Sequence, residues 1–415
     1  MTLSLDERRI AEIVQRVVAD LRPPAATVGS QPAATDSRPG PSPAAPTDSQ
    51  QGVFQDIDAA IAAAGAAQRQ LVDLPLERRT ALISAMRQAA MENAQVLAHA
   101  AWQETGMGRQ EDKVQKNLLV AERTPGTEAL QAQAWSGDRG LTLVERAPYG
   151  VIGAITPSTN PTSTIICNTI GMIAAGNAVV LNAHPGAKRC SAQTIHILNE
   201  AIQRAGGPAN LITCPAEPTI ESAQYLMRHP AIRLLVVTGG PGVVREAMDS
   251  GKKAICAGPG NPPVIVDETA DLEQAARDIV KGASFDNNLI CVLEKEIIAV
   301  ESIADQLKAI MLQRGAVEIS SWQLKRLMKV ILAEDHGPGK HGLVNKAFVG
   351  KSPRVILKEI GLDVDESVRL VVAETDAQHP LVWTEQLMPV IPLVRVRNAD
   401  EAIDLAKVVE QGMGH

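Results

Sequence analysis

The stretch VIGAITPSTNPT, Val151–Thr162, decides the fold class. VIGAIT (Val151–Thr156) is an apolar run of strand length with no polar alternation, as a strand buried on both faces requires. Pro157 and Pro161 then enforce an irregular loop. Helical spacing of apolar residues takes over from Thr162 to Ala175. The same cadence recurs downstream. AVVLNA (Ala178–Ala183), LITC (Leu211–Cys214) and LLVVTGG (Leu234–Gly240) read as strands, with helices over Ala187–Ala205 and Thr219–Arg228. Apolar strands alternating with helices predict a parallel sheet covered on both sides. Ligands of such sheets bind beyond the carboxyl ends of the strands, so TPSTNP, NAHPGA and TGGPG share one rim.

Working outward, residues 53–120 read as helical, through the Ala-rich DIDAAIAAAGAAQRQLVDL and the periodic LERRTALISAMRQAAMENAQVLAHAAWQETG. Downstream, PVIVD (Pro263–Asp267) reads as a strand, with Asp271 and Gln274 as a capping box for a helix towards Gly282. A strand at Lys295–Val300, helices at Ser302–Arg314 and Ser320–Leu332, strands RLVVAE and PVIPLVRV, and a helix from Ala399 complete a second α/β unit. At the amino end, Ile10, Ile13, Val14, Val17, Val18 and Leu21 form one stripe of a helix over residues 1–22. The Pro/Ala/Ser-rich segment 23–52 has no hydrophobic period and reads as a tether. A tethered amphipathic helix suits docking into another protein's groove better than packing on its own domain.

The 415 residues, 45% of them hydrophobic, suffice for two domains with extensive cores. A net charge of −7 and nine aromatics (four Trp, two Tyr, three Phe) argue against a nucleic-acid surface. No apolar run reaches membrane-spanning length. Cys167, Cys190, Cys214, Cys256 and Cys291 form no pair or Cys/His cluster at metal spacing, so no metal and reduced thiols in the cytoplasm are expected.

SFDNNLICVLEKE (Ser284–Glu296) places Cys291 between a polar loop and a strand, as a nucleophile or as an inert buried thiol. Asn160, between two prolines, could donate to an oxyanion or satisfy turn backbone. TGGPGVV (Thr238–Val244) could bring backbone close to a ligand or be a tight turn. His184 is a loop histidine or a proton shuttle, and Glu385, in TEQLMP, a surface carboxylate or a ligand group.

Taken in order, TPSTNP, AGNAVVLNAHPGA, TGGPGVV, FDNNLIC and EQLMPVIPL resemble the aldehyde dehydrogenase superfamily from about Val53 to His415. The likeness is greatest to its CoA-acylating branch, in particular the propionaldehyde dehydrogenases of bacterial microcompartments. The resemblance implies an α/β fold of two doubly wound domains: a Rossmann-like NAD(CoA)-binding domain, 53–256, and a catalytic domain, 257–415. It makes the tethered helix an encapsulation peptide for a shell protein, which places the chain in a microcompartment lumen. Cys291 is then the nucleophile, and Asn160 with the Cys291 backbone N–H the oxyanion site. Thr156, Pro157, Asn182, His184, Pro185, Gly186, Thr238, Gly239, Gly240 and Val243 line the cofactor. Glu385 holds the nicotinamide ribose, and Leu387 belongs to the same set.

Three departures from the family pattern carry information. The ribose-binding lysine falls on Asn182, so that contact could pass to His184. The glutamate that activates water in hydrolytic members falls near Ala257, where no carboxylate stands. CoA is partly thiolate near neutrality and needs no such base, so an acyl-CoA product is expected from a short aldehyde such as propanal, with NAD. Finally, the family continues past EQGMGH into a portion that completes the active-site surround and carries an assembly arm. A chain ending at His415 is expected to dimerise poorly and turn over slowly, and to form a dimer or tetramer only with that arm. The competing readings are acetaldehyde as main substrate, a hydrolytic dehydrogenase, and a shell-docking scaffold that keeps the fold without turnover.

Overall fold

The computed structural model describes residues 51–410; the docking helix 1–22 and nearly all of the tether lie outside the described residues. Strand β1 (Val53–Phe54) precedes helices α1 (Ile57–Val72), α2 (Leu76–Glu92), α3 (Ala94–Thr105) and α4 (Gln110–Arg123). The helical reading from residue 53 misses β1, which pairs in parallel with a distant strand, Val53 opposite Cys214. Beyond that region lies a hairpin the sequence does not announce, antiparallel β2 (Gln133–Gly137) and β3 (Gly140–Val144), whose side chains are exposed throughout. With no buried face, that hairpin carries no hydrophobic alternation to read.

The predicted strand–helix cadence follows: β4 (Val151–Thr156), α5 (Pro161–Ala174), β5 (Ala178–Ala183), α6 (Lys188–Arg204), β6 (Ile212–Pro215), α7 (Ile220–Arg228), β7 (Ile232–Thr238), α8 (Pro241–Met248) and β8 (Ala254–Ala257). These strands form one sheet in the order β1-β6-β5-β4-β7-β8, parallel at every pairing. All six residues of β4 and all six of β5 are buried, which is why neither alternates. On α5, Ile165, Ile166, Ile170 and Ile173 are fully buried, each contributing roughly 1.5–3 kcal/mol of apolar burial.

The second sheet, β11-β14-β15-β10-β9, is also parallel throughout. It comprises β9 (Pro263–Val266), β10 (Glu296–Val300), β11 (Ala316–Glu318), β14 (Leu370–Thr375) and β15 (Val390–Val396), with a two-stranded ribbon, β12 (Leu332–Glu334) and β13 (Leu343–Val344), between β11 and β14 in sequence. Helices α9 (Leu272–Ser284), α10 (Glu301–Gln313), α11 (Ser321–Ile331), α12 (Pro353–Lys358) and α13 (Ala399–Val409) surround it. The capping box predicted for α9 is half made. Asp271 accepts the Gln274 backbone N–H at 3.1 Å, but the Gln274 side chain turns forward to Asp278. A reciprocal box does close α11, between Ser320 and Gln323.

Candidate active site

The loop between α9 and β10 carries Cys291, and its backbone is unusual. Asp286, Asn287 and Asn288 have φ of 47°, 55° and 60°, three left-handed residues in a row. Asp and Asn tolerate that conformation better than other side-chain-bearing residues, because a short polar side chain can bond locally. Here each side chain is tied. The Asp286 carboxylate accepts the Arg109 backbone N–H at 2.7 Å, Lys113 Nζ at 3.1 Å, and Lys116 Nζ. Its own N–H donates to Asp112 Oδ2 at 2.8 Å, and Arg369 donates to the same oxygen at 3.0 Å. Asn287 Nδ2 donates to the Gly350 carbonyl at 2.8 Å. Asn288 Nδ2 donates to Ala283 O and Glu294 O at 2.8 and 3.0 Å.

From the other side the loop is held by Lys295, which is fully buried. Its ammonium donates to Asn288 O at 3.3 Å, Asn288 Oδ1 at 2.5 Å and Ile290 O at 3.1 Å. The predicted strand at Lys295–Val300 therefore starts one residue later, with Lys295 spent on the loop. Burial lowers the Lys295 pKa to about 8, against the pull of Glu385, Cys291, Glu296 and Glu294.

Gly350 ties three segments together. Its carbonyl accepts from Gly108 N at 2.9 Å and from Asn287, while its N–H donates to Leu387 O at 2.8 Å. Its φ is +69°, and a Cβ there would stand 2.8 Å from Leu289 Cδ2 and 3.0 Å from the Gly108 nitrogen. Leu387 is itself left-handed, φ 51°, two residues after Glu385.

Asn160 occupies the N-cap position of α5 but its side chain does not cap the helix. Its Oδ1 accepts from Lys116 Nζ at 2.6 Å, and its Nδ2 donates to Thr159 Oγ1 at 3.1 Å. Among the described residues this amide thus meets side chains, not turn backbone, and a single ammonium joins the Asn160 loop of the first sheet to the Cys291 loop of the second. Cys291 is half-buried. Burial first, and then Glu385, raise its thiol pKa, while Lys295 and the backbone N–H groups of Cys291 and Val292 lower it. Glu385 is no plain surface carboxylate: it is half-buried, accepts Gly260 N–H at 3.2 Å, and its pKa is raised by burial.

The remaining predicted residues lie on the first sheet's carboxyl rim. Thr156 ends β4 with a buried hydroxyl that has no partner among the described residues, followed by half-buried Pro157. His184, Pro185 and Gly186 are exposed after β5, with His184 Nδ1 accepting Gly186 N–H at 3.0 Å. Partial loss of water around its ring, then the positive charge of Lys346, lowers the His184 pKa. Asn182 faces elsewhere: its Nδ2 donates to Thr219 O at 3.2 Å and its Oδ1 accepts from Ser222 at 2.6 Å, so both amide ends serve the α7 cap. Thr238, Gly239 and Gly240 lead from β7 into α8. A Cβ on Gly239 would stand 2.6 Å from Val243 Cγ1, so any larger residue there would displace the Val243 side chain. The strand order reverses direction between β4 and β7, the switch point at which such sheets hold dinucleotides. The orphaned Thr156 hydroxyl and the bare Gly239–Gly240 turn at that point fit a dinucleotide.

Lys113, Lys116, Lys295 and Gly350 escape the sequence reading. The one available signal was the run EDKVQKN (Glu111–Asn117), whose Asp112, Lys113, Lys116 and Asn117 share a helix face that proves to be the buried one.

Residues 45–325 match the model of the aldehyde dehydrogenase family. The chain is 48% identical, over 99% of its length and 83% of the other's, to an acetaldehyde dehydrogenase (acetylating) of Bilophila wadsworthia. A propionaldehyde dehydrogenase of Rhodopseudomonas palustris, solved with bound propionyl-CoA, superposes with a TM-score of 0.83 at 47% identity, covering 87% of this chain and 79% of that one. A propionaldehyde dehydrogenase from the fucose utilisation bacterial microcompartment of Clostridium phytofermentans gives 0.83 at 46% identity, covering 87% and 82%.

Proposed function

The chain belongs to the aldehyde dehydrogenase family, and on that footing we propose that it oxidises a short aldehyde, propanal first, to its acyl-CoA with NAD. The observation that carries this reading is the bridge from Asn160 through Lys116 to Asp286, which ties the Asn160 amide to the loop that bears the Cys291 thiol. The Cys291 thiolate attacks the aldehyde carbon. A carbon–sulfur bond forms, and the carbonyl π pair moves onto oxygen, where Asn160 Nδ2 and the Cys291 N–H receive it. Thr156, Gly239 and Gly240 at the β4/β7 switch point would hold NAD, with Glu385 orienting its nicotinamide ribose, and the bound NAD would supply the hydride acceptor. Hydride loss leaves a thioester on Cys291; the CoA thiolate adds to that carbonyl and expels the Cys291 thiolate, giving acyl-CoA and the free enzyme.

Release by CoA rather than water follows from Ala257, which supplies no carboxylate for a base. One observation favours a second reading, hydrolysis: Glu385 lies near enough to Cys291 to raise its pKa. The products separate the two. With NAD and propanal, the full-length protein is expected to form propanoyl-CoA at a rate set by CoA; propanoate at a CoA-independent rate would establish hydrolysis. Parallel assays with acetaldehyde rank the substrates.

In this reading residues 53–256 bind nucleotide, residues 257–415 bear the thiol, and the protein works as a homo-oligomer in a microcompartment lumen. No helix among the described residues is long and apolar enough to cross a membrane. Residues 1–22 dock on a shell protein. Their deletion should leave activity intact and abolish co-purification with shell; retained co-purification refutes the docking role.

A further inference from the structure

We propose that Lys116 is a positioning residue: it dictates which end of the Asn160 amide faces the reacting carbonyl, and Asp286 holds it in place. The inference rests on the reading of Asn160 as oxyanion donor and deepens it. The two ends of an amide are nearly the same size but opposite in function, one accepting and one donating. An ammonium has three donors and no acceptor, so only Oδ1 can face it. With Lys116 Nζ 2.6 Å from Oδ1, Nδ2 is forced to the other side. There one of its two N–H groups reaches Thr159 Oγ1 at 3.1 Å, which leaves the second for a developing oxyanion. A flipped amide would offer that oxyanion a lone pair and repel it.

The charge balance around Asp286 supports a role beyond structure. Asp286 is fully buried and already receives Lys113 and the Arg109 N–H. One carboxylate needs one counter-cation, and a second buried ammonium adds desolvation cost. Lys116 is itself buried. Burial, and then Lys113, bring its pKa to about 8, against the opposing pull of Asp286 and Asp112. Within this cluster, Asn160 is the partner that Lys116 has and Lys113 does not. Asp286 lies in the same tied loop as Cys291, so the amide is set relative to the thiol it serves.

The test uses the full-length protein and steady-state oxidation of propanal with NAD and CoA. Lys116→Met is expected to lower kcat about 10- to 100-fold, somewhat less than outright loss of an oxyanion donor, with KM for propanal within about 3-fold. In an Asn160→Ala background the same change should lower kcat by no more than about 2-fold, because nothing is left to orient. Losses that multiply in the double variant would overturn the inference and leave Lys116 as scaffold. Should Lys116→Met fail to fold, Lys116→Gln keeps a polar partner that both accepts and donates. A scaffold role predicts full kcat for it, which would overturn the proposal, whereas the positioning role predicts a loss of about 10-fold. A wild-type protein that forms no acyl-CoA defeats the functional reading itself; an active wild type with unimpaired Lys116→Met defeats this inference alone.

Discussion

Replacing Glu296 with Gln should stabilise the protein, increasingly so as pH rises. Glu296 opens β10 fully buried. Its Oε1 accepts from Asn261 Nδ2 at 3.3 Å, and its Oε2 has no partner. Burial pushes the carboxyl from its ordinary 4.5 up to about 9, with Lys295 pulling the other way. Between those values the native state keeps a proton that the unfolded chain has lost. The native state therefore binds more protons, and stability falls with rising pH across that window, by about 1.4 kcal/mol per pH unit. At pH 7 the penalty is about 3 kcal/mol, and at pH 5 it is below about 1 kcal/mol. Gln carries no titrating proton and keeps an acceptor towards Asn261, so it removes the penalty with little change of shape. Urea unfolding of both proteins at pH 5, 7 and 8.5 reads the difference directly. A gap that grows with pH bears the reasoning out; a gap of constant size, or one that shrinks, refutes it.

Three further outcomes follow from the Cys291 loop. Because Glu385 raises the Cys291 thiol, Glu385→Gln should shift the pH midpoint for iodoacetamide alkylation of the Cys291 peptide, followed by mass spectrometry, to lower pH; an unmoved midpoint removes Glu385 from the thiol's surroundings. Lys295→Met removes a neighbour that lowers the thiol and anchors residues 288–290, so the same midpoint should rise and the melting temperature fall. Gly350→Ala imposes a left-handed alanine and a 2.8 Å approach to Leu289. It should cost about 1–3 kcal/mol in thermal unfolding and lower kcat more than it changes KM, whereas unchanged stability would show that the knot yields freely.

The cadence of β4, β5, β6 and β7 was legible because buried parallel strands write continuous apolar runs, and Pro157 and Pro161 mark where the first one ends. The rim loops were legible as an ordered set. What the residues could not show was which way their side chains turn. Asn182 lies on the rim segment, yet its amide serves the α7 cap. Asn160 stands at a helix start, where asparagine commonly caps, and does not cap. Lys113 and Lys116 sit in a helix whose Leu119 is exposed, the reverse of the usual pattern, so periodicity points to the wrong face. Their burial is fixed by Asp286, about 170 residues away in the chain, and no local pattern records a partner at that distance.

That inversion bears on how the site stays aligned. Cys291 is not seated by apolar packing alone, since Val292 beside it is exposed. It hangs from a left-handed loop whose side chains each reach another segment: Asp286 to α4, the Asn287 Nδ2 to Gly350, Asn288 to the end of α9. Left-handed residues of this kind persist only when their surroundings over-determine them, because each is disfavoured by about 1 kcal/mol or more. The surroundings here are two sets of buried ammonium groups, Lys113 and Lys116 on one side of the loop and Lys295 on the other. Contacts of these buried ammonium groups are strong in the low dielectric of the interior and lose strength when water enters, so the loop's alignment depends on water being kept out. Loss of the Asp286 carboxylate would release the thiol's loop and the Lys116 that reaches the Asn160 amide in the same event, whereas loss of Lys116 leaves Lys113 and the Arg109 N–H on Asp286. The Asn160 loop and the Cys291 loop come from different sheets, and one cation, Lys116, ties the two together.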